Sequence, residues 1–472
     1  MEAKATTGTQ LWGMGAVELV AAIRERRASS REVIEAHLAR IDSVNEQVNA
    51  VTAVLAERAR LAADEADRRL AARESLGALH GVPFTVKENV DLAGSSTTWA
   101  VPALKDAIPA IDAPQVGHLL DAGAIPIGRT NLPDFALRWH SDNALYGPVR
   151  NPWDASRTPG GSSGGEAAAL ATGLTPLGVG NDLGGSLRWP AQCNAICSIK
   201  PTLGRVPQAT VVEPVDGPVS IQLMSVQGPM ARRVADLRLA LEVMSRPSVR
   251  DPWYVPAPTK GHALPAPIRV ALVSDPAGQG TSTHVAAGVR KAAEALSAAG
   301  YTVEEVEPPE VARAAETWMT MLSADVRLIW PLMSPLASED ANRFLSTLLD
   351  AYPETDAGTY MQTFMARQAI ARAWGEFQLT HPLVLAPVCT EPPFAVGADL
   401  TREGVQAIVR SMRMVVTVNL LGLPAAAIPT GIADGLPQGV QVIGPRFRED
   451  LCLDAAEAIE SACGILTPIH PR

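Results

Sequence analysis

The chain has 472 residues, of which 47% are hydrophobic and 19% are charged, so it is long and apolar enough to bury a large core. Its formal net charge is −10 and it has no basic run, which argues against nucleic-acid binding through a charged face. The five cysteines are sparse and odd in number, and residues 1–22 lack the basic start and apolar segment of a signal peptide, so we expect a cytoplasmic protein.

The N-terminal region is predicted to be helical. Residues 16–26 carry apolar side chains at helical spacing, for example Leu19 and Ile23. Ser29 and Glu32 form a capping-box pattern before a second apolar series. Residues 51–72 continue with alanine, arginine and leucine at the same spacing, so we expect these helices to pack on the outside of a sheet.

An apolar strand with a lysine near its end is predicted over residues 80–90, where the sequence reads GVPFTVKEN around Lys87. A lone lysine at a strand end is usually a solvated charge. Inside an apolar strand, however, the ammonium group would be desolvated, which lowers its pKa and allows it to act as a base near neutral pH.

Two glycine-rich loops, each with a serine, follow in residues 157–207. The first reads GGSSGG around Ser162 and precedes EAAALA, a run of strong helix formers, so a helix N-terminus should point its N–H groups into this loop. The second reads DLGGS and ends at Ser186, and its successive N–H groups beside a hydroxyl could form an anion-binding concavity. A nucleophile with its own oxyanion hole has this pattern.

Two other interpretations of the first loop are weaker. Residues 161–165 also satisfy G-x-S-x-G, the nucleophile elbow of α/β-hydrolases, but that motif needs a hydrophobic strand before it. Residues 151–159 contain two prolines and cannot form a central strand. A phosphate-binding loop is excluded because no G-K-[ST] follows the glycines.

Candidate pocket residues lie in two segments. Residues 135–153 lead into the first serine loop, and residues 310–377 are dense in large flexible apolar side chains that suit a roomy pocket, a lid or ordinary core. Core packing is the commoner role for such residues. The predicted wall residues are Trp139, His140, Tyr146, Trp318, Met321 and Trp330.

The C-terminal half alternates strands and helices. Residues 268–306 are predicted to form a strand, a helix and a second strand, a pattern typical of a parallel edge. Residues 414–433 are uncharged but include two prolines, so we expect buried strands and turns there, not a membrane helix. The fold class is therefore α/β.

GVPFTVKEN, TPGGSSGGEAAALA and GNDLGGSLRWPAQCNAICSIKPTLGRVP together resemble the amidase signature family. The order of the lysine and the two serines, and the 24 residues between Ser162 and Ser186, match that family. The resemblance covers about residues 15–245 and 380–465. It implies one domain over residues 1–472 with a large, mixed, twisted sheet covered on both faces by helices, and a variable segment at 310–377 that shapes the substrate site.

The family resemblance also implies roles for the motif residues. Ser186 would be the nucleophile, Ser162 a proton relay preceded by a cis peptide, and Lys87 the base, without a metal or cofactor. The oxyanion donors would be the N–H groups of Leu183, Gly184, Gly185 and Ser186, and the supporting residues would be Ser163, Asp182 and Arg188.

The resemblance leaves the substrate open, because amides, esters and carbamates all pass through the same tetrahedral intermediate. The apolar segment at 310–377 favours a hydrophobic or aryl substrate. We expect a stand-alone enzyme that is a monomer or homodimer, with no nucleic-acid or membrane partner. The alternatives are the A subunit of a glutaminyl-tRNA amidotransferase and a non-catalytic scaffold that keeps the fold.

Overall fold

The computed structural model describes residues 11–212 and 216–472. Its strands are β1 Val51–Val54, β2 Pro83–Lys87, β3 Ile125–Thr130, β4 Leu177–Asp182, β5 Cys197–Lys200, β6 Val226–Ala231, β7 Arg269–Leu272, β8 Thr302–Glu305, β9 Leu383–Pro387, β10 Ala425–Ala433 and β11 Leu436–Ile443. Its helices are α1 Ala16–Arg24, α2 Ser30–Val48, α3 Ala56–Ala71, α4 Pro114–Asp121, α5 Gly164–Ala171, α6 Arg188–Asn194, α7 Val219–Met224, α8 Val234–Met244, α9 Thr283–Ala298, α10 Val311–Met333, α11 Glu339–Asp350, α12 Ala357–Phe377, α13 Arg402–Ser411, α14 Arg413–Leu421 and α15 Glu449–Cys463.

All of these strands belong to one 11-stranded sheet with the order β1-β3-β2-β4-β6-β5-β10-β11-β9-β7-β8. The sheet is mixed: β2 is parallel to β3 and β4, whereas β4 and β6 are antiparallel. At the far edge, β7 and β8 are parallel and joined through α9, which confirms the predicted strand, helix and strand of residues 268–306. The α/β fold class with a large mixed sheet is confirmed.

Side chains alternate between the two faces of the sheet and so enter different cores, of which two are large and a smaller third packs against β1 and β3. In β9, Leu383 and Leu385 join one cluster, which also contains residues of α1, α4, α8, α9 and α15. Val384 and Ala386 join the other, which contains residues of α6, α10, α13 and α14. Helices therefore cover both faces of the sheet, and the period-2 geometry of each strand decides which core a residue enters.

Two local predictions differ from the structure. Residues 51–72 were expected to be one helix, but Val51 opens β1 and the helix starts at Ala56. Residues 414–433 were expected to be strands and turns, but α14 occupies their first part before β10 begins. Short apolar runs carry no period that separates a buried helix from a buried strand, so tertiary packing decides between them.

The capping box predicted at the start of α2 is present. The Glu32 N–H donates to Ser29 Oγ at 3.0 Å, and the Ser29 N–H donates to Glu32 Oε2 at 2.8 Å. Within the described ranges, no helix is long and apolar enough to cross a membrane. The interpretation of residues 1–22 as lacking a signal peptide rests in part on residues 1–10, which lie outside the described residues.

Candidate active site

Lys87 lies at the end of β2, on the sheet face opposite the apolar side chains of that strand. Phe84 and Val86 point into one core, so Lys87 points to the other side, where it is fully buried. Its Nζ donates to Ser162 Oγ at 2.7 Å and to Asn181 Oδ1 at 2.7 Å. Asn181 is held in turn by a 3.0 Å bond from its Nδ2 to Asn89 Oδ1. The structure thus brings the predicted lysine and the first serine together.

Burial lowers the pKa of Lys87 to about 7, while the negative charges of Asp182 and Glu166 oppose this shift. Glu166 is itself fully buried on α5, and burial raises its pKa to about 7. Its carboxyl group accepts hydrogen bonds from the hydroxyls of Thr85 and Thr130, the latter at 2.7 Å. A substantial fraction of Lys87 is therefore neutral near pH 7 and able to accept a proton.

The first serine loop is held tightly by its surroundings. The Gly161–Ser162 peptide bond is cis, and α5 begins two residues later at Gly164. Gly160 has φ +80°, and a Cβ there would lie 2.6 Å from the Cα of Pro190, so only glycine fits. The Ser163 N–H donates to the carbonyl oxygen of Ser186 at 3.3 Å, which joins this loop to the second serine loop.

Asp182 and Arg188 hold the second serine loop in place through buried hydrogen bonds. Asp182 accepts from the N–H groups of Gly185 at 2.7 Å and Leu187 at 3.1 Å, and from Arg188 Nε at 3.0 Å. Burial alone would raise the pKa of Asp182, but the buried Arg188 guanidinium holds it below its ordinary value. Asn419 adds one more hydrogen bond, since its Nδ2 donates to Asp182 Oδ1 at 2.9 Å.

The predicted oxyanion donors differ in whether their N–H groups are already bonded. The Gly185 N–H donates to the Asp182 carboxylate, so it is not free to bind another oxygen in this structure. In the part of the chain that the structure describes, the N–H groups of Leu183, Gly184 and Ser186 donate to no protein acceptor. Three of the four predicted donors therefore remain available.

Two indole rings fix the carbonyl groups of the same loop. Trp139 Nε1 donates to the Gly184 carbonyl oxygen at 2.8 Å, and Trp318 Nε1 donates to the Leu183 carbonyl oxygen at 3.1 Å. In a trans peptide the C=O and N–H point in opposite directions, so the bond from Trp318 turns the Gly184 N–H away from the indole. A Cβ on Gly184 would lie 2.6 Å from the Trp318 ring, which explains the glycine. Neither this role of the two indoles nor the roles of Asn181 and Asn419 were predicted from the sequence.

An apolar cavity opens at Ser186, which is 7% exposed. Helices α10 and α11 supply most of its wall, so the segment at 310–377 is both pocket wall and core. The cavity is lined by Ala136, Leu137, Arg138, Trp139, Leu183, Gly184, Ser186, Trp318, Met319, Leu322, Ser323, Val326, Phe344, Leu345, Leu348 and Leu349.

Only two of the six predicted wall residues, Trp139 and Trp318, are among these lining residues. The other four do not line this cavity, and the sequence alone does not fix which way each side chain faces. His140 Nδ1 bonds Thr158 Oγ1 at 3.0 Å, and Tyr146 donates to Glu88 at 3.4 Å. Met321 and Trp330 are buried in the apolar core that contains α10, and Met319 is the methionine of this helix that lines the cavity.

The hydroxyl groups of the two serines are not directly bonded in this structure. Ser162 Oγ accepts from Lys87, but over the described residues the Ser162 and Ser186 hydroxyls do not hydrogen-bond to each other. The two loops are joined instead through the Ser163 N–H. No group of three or more His, Cys, Asp or Glu side chains within the described ranges is arranged to hold a metal ion.

Comparison with known proteins adds independent findings. A sequence model of the amidase family matches residues 32–453. Indoleacetamide hydrolase of Bradyrhizobium diazoefficiens is 44% identical over 459 residues, covering 97% of this chain and 88% of that relative. The A subunit of the glutamyl-tRNA(Gln) amidotransferase of Salinispora arenicola is 32% identical, covering 98% of this chain and 99% of that relative. The crystal structure of a bacterial aryl acylamidase from the amidase signature family matches with a TM-score of 0.82 at 26% identity, covering 95% of this chain and 96% of that chain.

Proposed function

The chain belongs to the amidase family and hydrolyses the C–N bond of amides, and from that premise we propose that its substrate is an uncharged amide with a bulky aromatic group. Indoleacetamide, which the name of the 44% identical relative specifies, is an amide of this kind. Water would convert it to the corresponding carboxylic acid and ammonia.

The apolar cavity at Ser186 carries this proposal. Two indole rings stand beside the nucleophile, and the remaining wall is mainly aliphatic and aromatic. A charged substrate group would lose its hydration there without gaining a partner, because the Arg138 guanidinium is already paired with Asp399 at 2.9 Å. An aromatic ring would instead gain from removal of its apolar surface from water.

We propose that the acylation step begins when neutral Lys87 takes a proton from Ser162 Oγ. Ser162 then takes the proton of Ser186, whose Oγ forms a bond to the amide carbon. The developing oxyanion would be held by the free N–H groups of Leu183, Gly184 and Ser186. This path requires rotation of the serine hydroxyls into line, since Ser162 is in contact with Lys87 while its bond to Ser186 is not yet formed.

The tetrahedral intermediate collapses when its C–N bond breaks. Ser162 returns a proton to the nitrogen and is reprotonated by Lys87, so that ammonia leaves, Ser186 remains acylated and Lys87 is neutral again. Water then attacks the acyl carbon, with its proton passing through Ser162 to Lys87. That proton returns through Ser162 to Ser186 Oγ as the bond between Oγ and the acyl carbon breaks, and the carboxylic acid is released. Asp182 and Arg188 would position the loop without exchanging protons.

The pH dependence of kcat/KM should follow the protonation of Lys87. Because the base must be neutral and its pKa is about 7, the rate should fall as the pH drops through that value. The Glu166 carboxylate raises the pKa of Lys87 while it is ionised, and its own pKa is about 7, so Glu166→Gln should move this acid limb to lower pH by a small amount. Profiles measured between about pH 5 and 9 would test this, and a limb that moves to higher pH in the variant would contradict it.

The substrate class is tested with a matched panel on wild type and Ser186→Ala. We expect kcat/KM for indole-3-acetamide to exceed that for glutamine by about 100-fold or more, because the cavity desolvates charged groups. The methyl ester of the same acid and an aryl carbamate extend the panel, since their carbonyl groups pass through the same intermediate. Glutamine hydrolysis that equals or exceeds that of the aryl amide would overturn the proposal.

The second candidate is the A subunit of a tRNA-dependent amidotransferase, which a more distant relative represents. It predicts glutamine as the preferred amide and activity that depends on partner chains. The apolar cavity and the net charge of −10 support a stand-alone hydrolase, as a monomer or homodimer.

All five cysteines are free thiols, which supports action in the reducing cytoplasm.

A further inference from the structure

Among the described residues that line the cavity, one hydroxyl group is present besides that of Ser186, and it belongs to Ser323 on α10. Resting on the proposed function, we propose that Ser323 accepts a hydrogen bond from an N–H group of the substrate's aromatic ring. The enzyme would then select indole-type amides over amides whose ring has the same shape but no donor.

The position of Ser323 on α10 suits this role. Trp318 packs against Gly184 and bonds the Leu183 carbonyl, so it marks the end of the cavity that holds the reacting carbon. Ser323 is five residues further along the same helix, about 7.5 Å along the axis at 1.5 Å per residue. This is on the scale of the distance from the amide carbon of indole-3-acetamide to its ring nitrogen plus the length of one N–H···O hydrogen bond.

The hydrogen-bond partners of the polar groups in the wall single out Ser323. The indole N–H groups of Trp139 and Trp318 are committed to loop carbonyls, and the Arg138 guanidinium is a donor paired with Asp399. Within the described cavity lining, Ser323 is therefore the only side-chain oxygen acceptor apart from Ser186.

The hydroxyl of Ser323 has acceptor capacity left. It donates to the Thr320 carbonyl oxygen at 3.2 Å, and that bond uses its proton but not its lone pairs. The side chain is 2% exposed, so solvent has little access to those lone pairs. A ring N–H that enters the cavity could donate a hydrogen bond to Ser323 Oγ. A ring without a donor could not form this bond.

The experiment compares indole-3-acetamide with benzofuran-3-acetamide, in which a ring oxygen replaces the N–H. Wild type should show kcat/KM about 10-fold higher for the indole, the size expected for one buried neutral hydrogen bond. Ser323→Ala should lose most of this preference by slowing the indole substrate, while the benzofuran substrate changes by no more than about 3-fold.

Thr320→Ala is the matched control, because Thr320 lies on the same helix and its hydroxyl donates to the Glu316 carbonyl oxygen at 2.9 Å, outside the cavity lining. It should keep the wild-type ratio, and thermal unfolding should show both variants folded. Equal rates on the two amides in wild type, or a preference that persists in Ser323→Ala, would overturn this inference alone. If wild type hydrolyses neither amide, the proposed function fails and the inference falls with it.

Discussion

Replacing Ser186 by alanine is expected to lower kcat for amide hydrolysis by about 10⁴-fold or more, because the residue supplies the oxygen that becomes acylated. Ser186 lines the cavity and neighbours the unbonded N–H groups of Leu183 and Gly184, so an amide bound there would present its carbonyl carbon to this hydroxyl. The change removes one oxygen that makes no hydrogen bond to the described residues, so the fold should persist. Steady-state ammonia release would measure the loss.

Ser198→Ala is the matched control for this variant. Ser198 is also a fully buried serine, but it lies on β5 and does not line the cavity. A serine-reactive phosphonate should label wild type and Ser198→Ala at Ser186, and should leave Ser186→Ala unlabelled. Retained turnover in Ser186→Ala would remove it as the nucleophile, and an unlabelled, inactive wild type would favour the scaffold alternative.

The sequence predicts best where local residues dictate local conformation. Lys87 could be placed on a buried strand because the residues before it form an apolar run. The serine loops could be located from their glycines, of which Gly160 and Gly185 have positive φ in the structure. The helix after the first loop follows from the helix propensity of EAAALA. These are short-range effects, so one sequence suffices to see them.

Contacts between distant segments were outside the reach of the sequence. Nothing in the motif shows that Asn419 donates to Asp182 from 237 residues away. This bond is set by the tertiary approach of α14 to the second serine loop.

The residues that line the cavity could not be predicted either, because the sequence does not specify how a helix is oriented. The segment at 310–377 is rich in large apolar residues, but periodicity does not say which face of α10 meets the cavity and which meets the core. Trp318, Met319 and Val326 face the cavity, whereas Met321 and Trp330 do not line it. Whether a side chain of α10 faces the cavity depends on how α10 packs against α14 and α12, and the sequence does not specify this packing.

Helix α10 contacts both the second serine loop and the cavity. Its Trp318 bonds the Leu183 carbonyl and so orients the Gly184 peptide, while its Met319, Leu322 and Ser323 line the cavity. Under the proposed function, one helix would hold both a peptide of the oxyanion hole and part of the wall that meets the substrate. Changes at Trp318 that alter specificity should therefore also alter kcat, because this residue contacts both.

Replacing Lys87 by methionine should reduce kcat by about 10²- to 10⁴-fold, the range expected for loss of a general base. Methionine keeps the length and apolar stem of lysine, so it fills the buried site without the Nζ that contacts Ser162 and Asn181. Because a buried lysine is desolvated, its removal should not lower the thermal midpoint appreciably. Turnover, phosphonate labelling rate at Ser186 and thermal unfolding would be measured together.

Lys200→Met is the matched control for this prediction. Lys200 is likewise fully buried, and burial lowers its pKa to about 7, but its Nζ donates to the Pro201 carbonyl oxygen at 2.9 Å and reaches neither serine. If Lys87 acts as the base, Lys87→Met should lose at least about 10-fold more activity than Lys200→Met, and it alone should slow the labelling of Ser186. Equal losses would assign the effect to removal of a buried amine, and near-wild-type turnover in Lys87→Met would mean that another group takes the proton from Ser162.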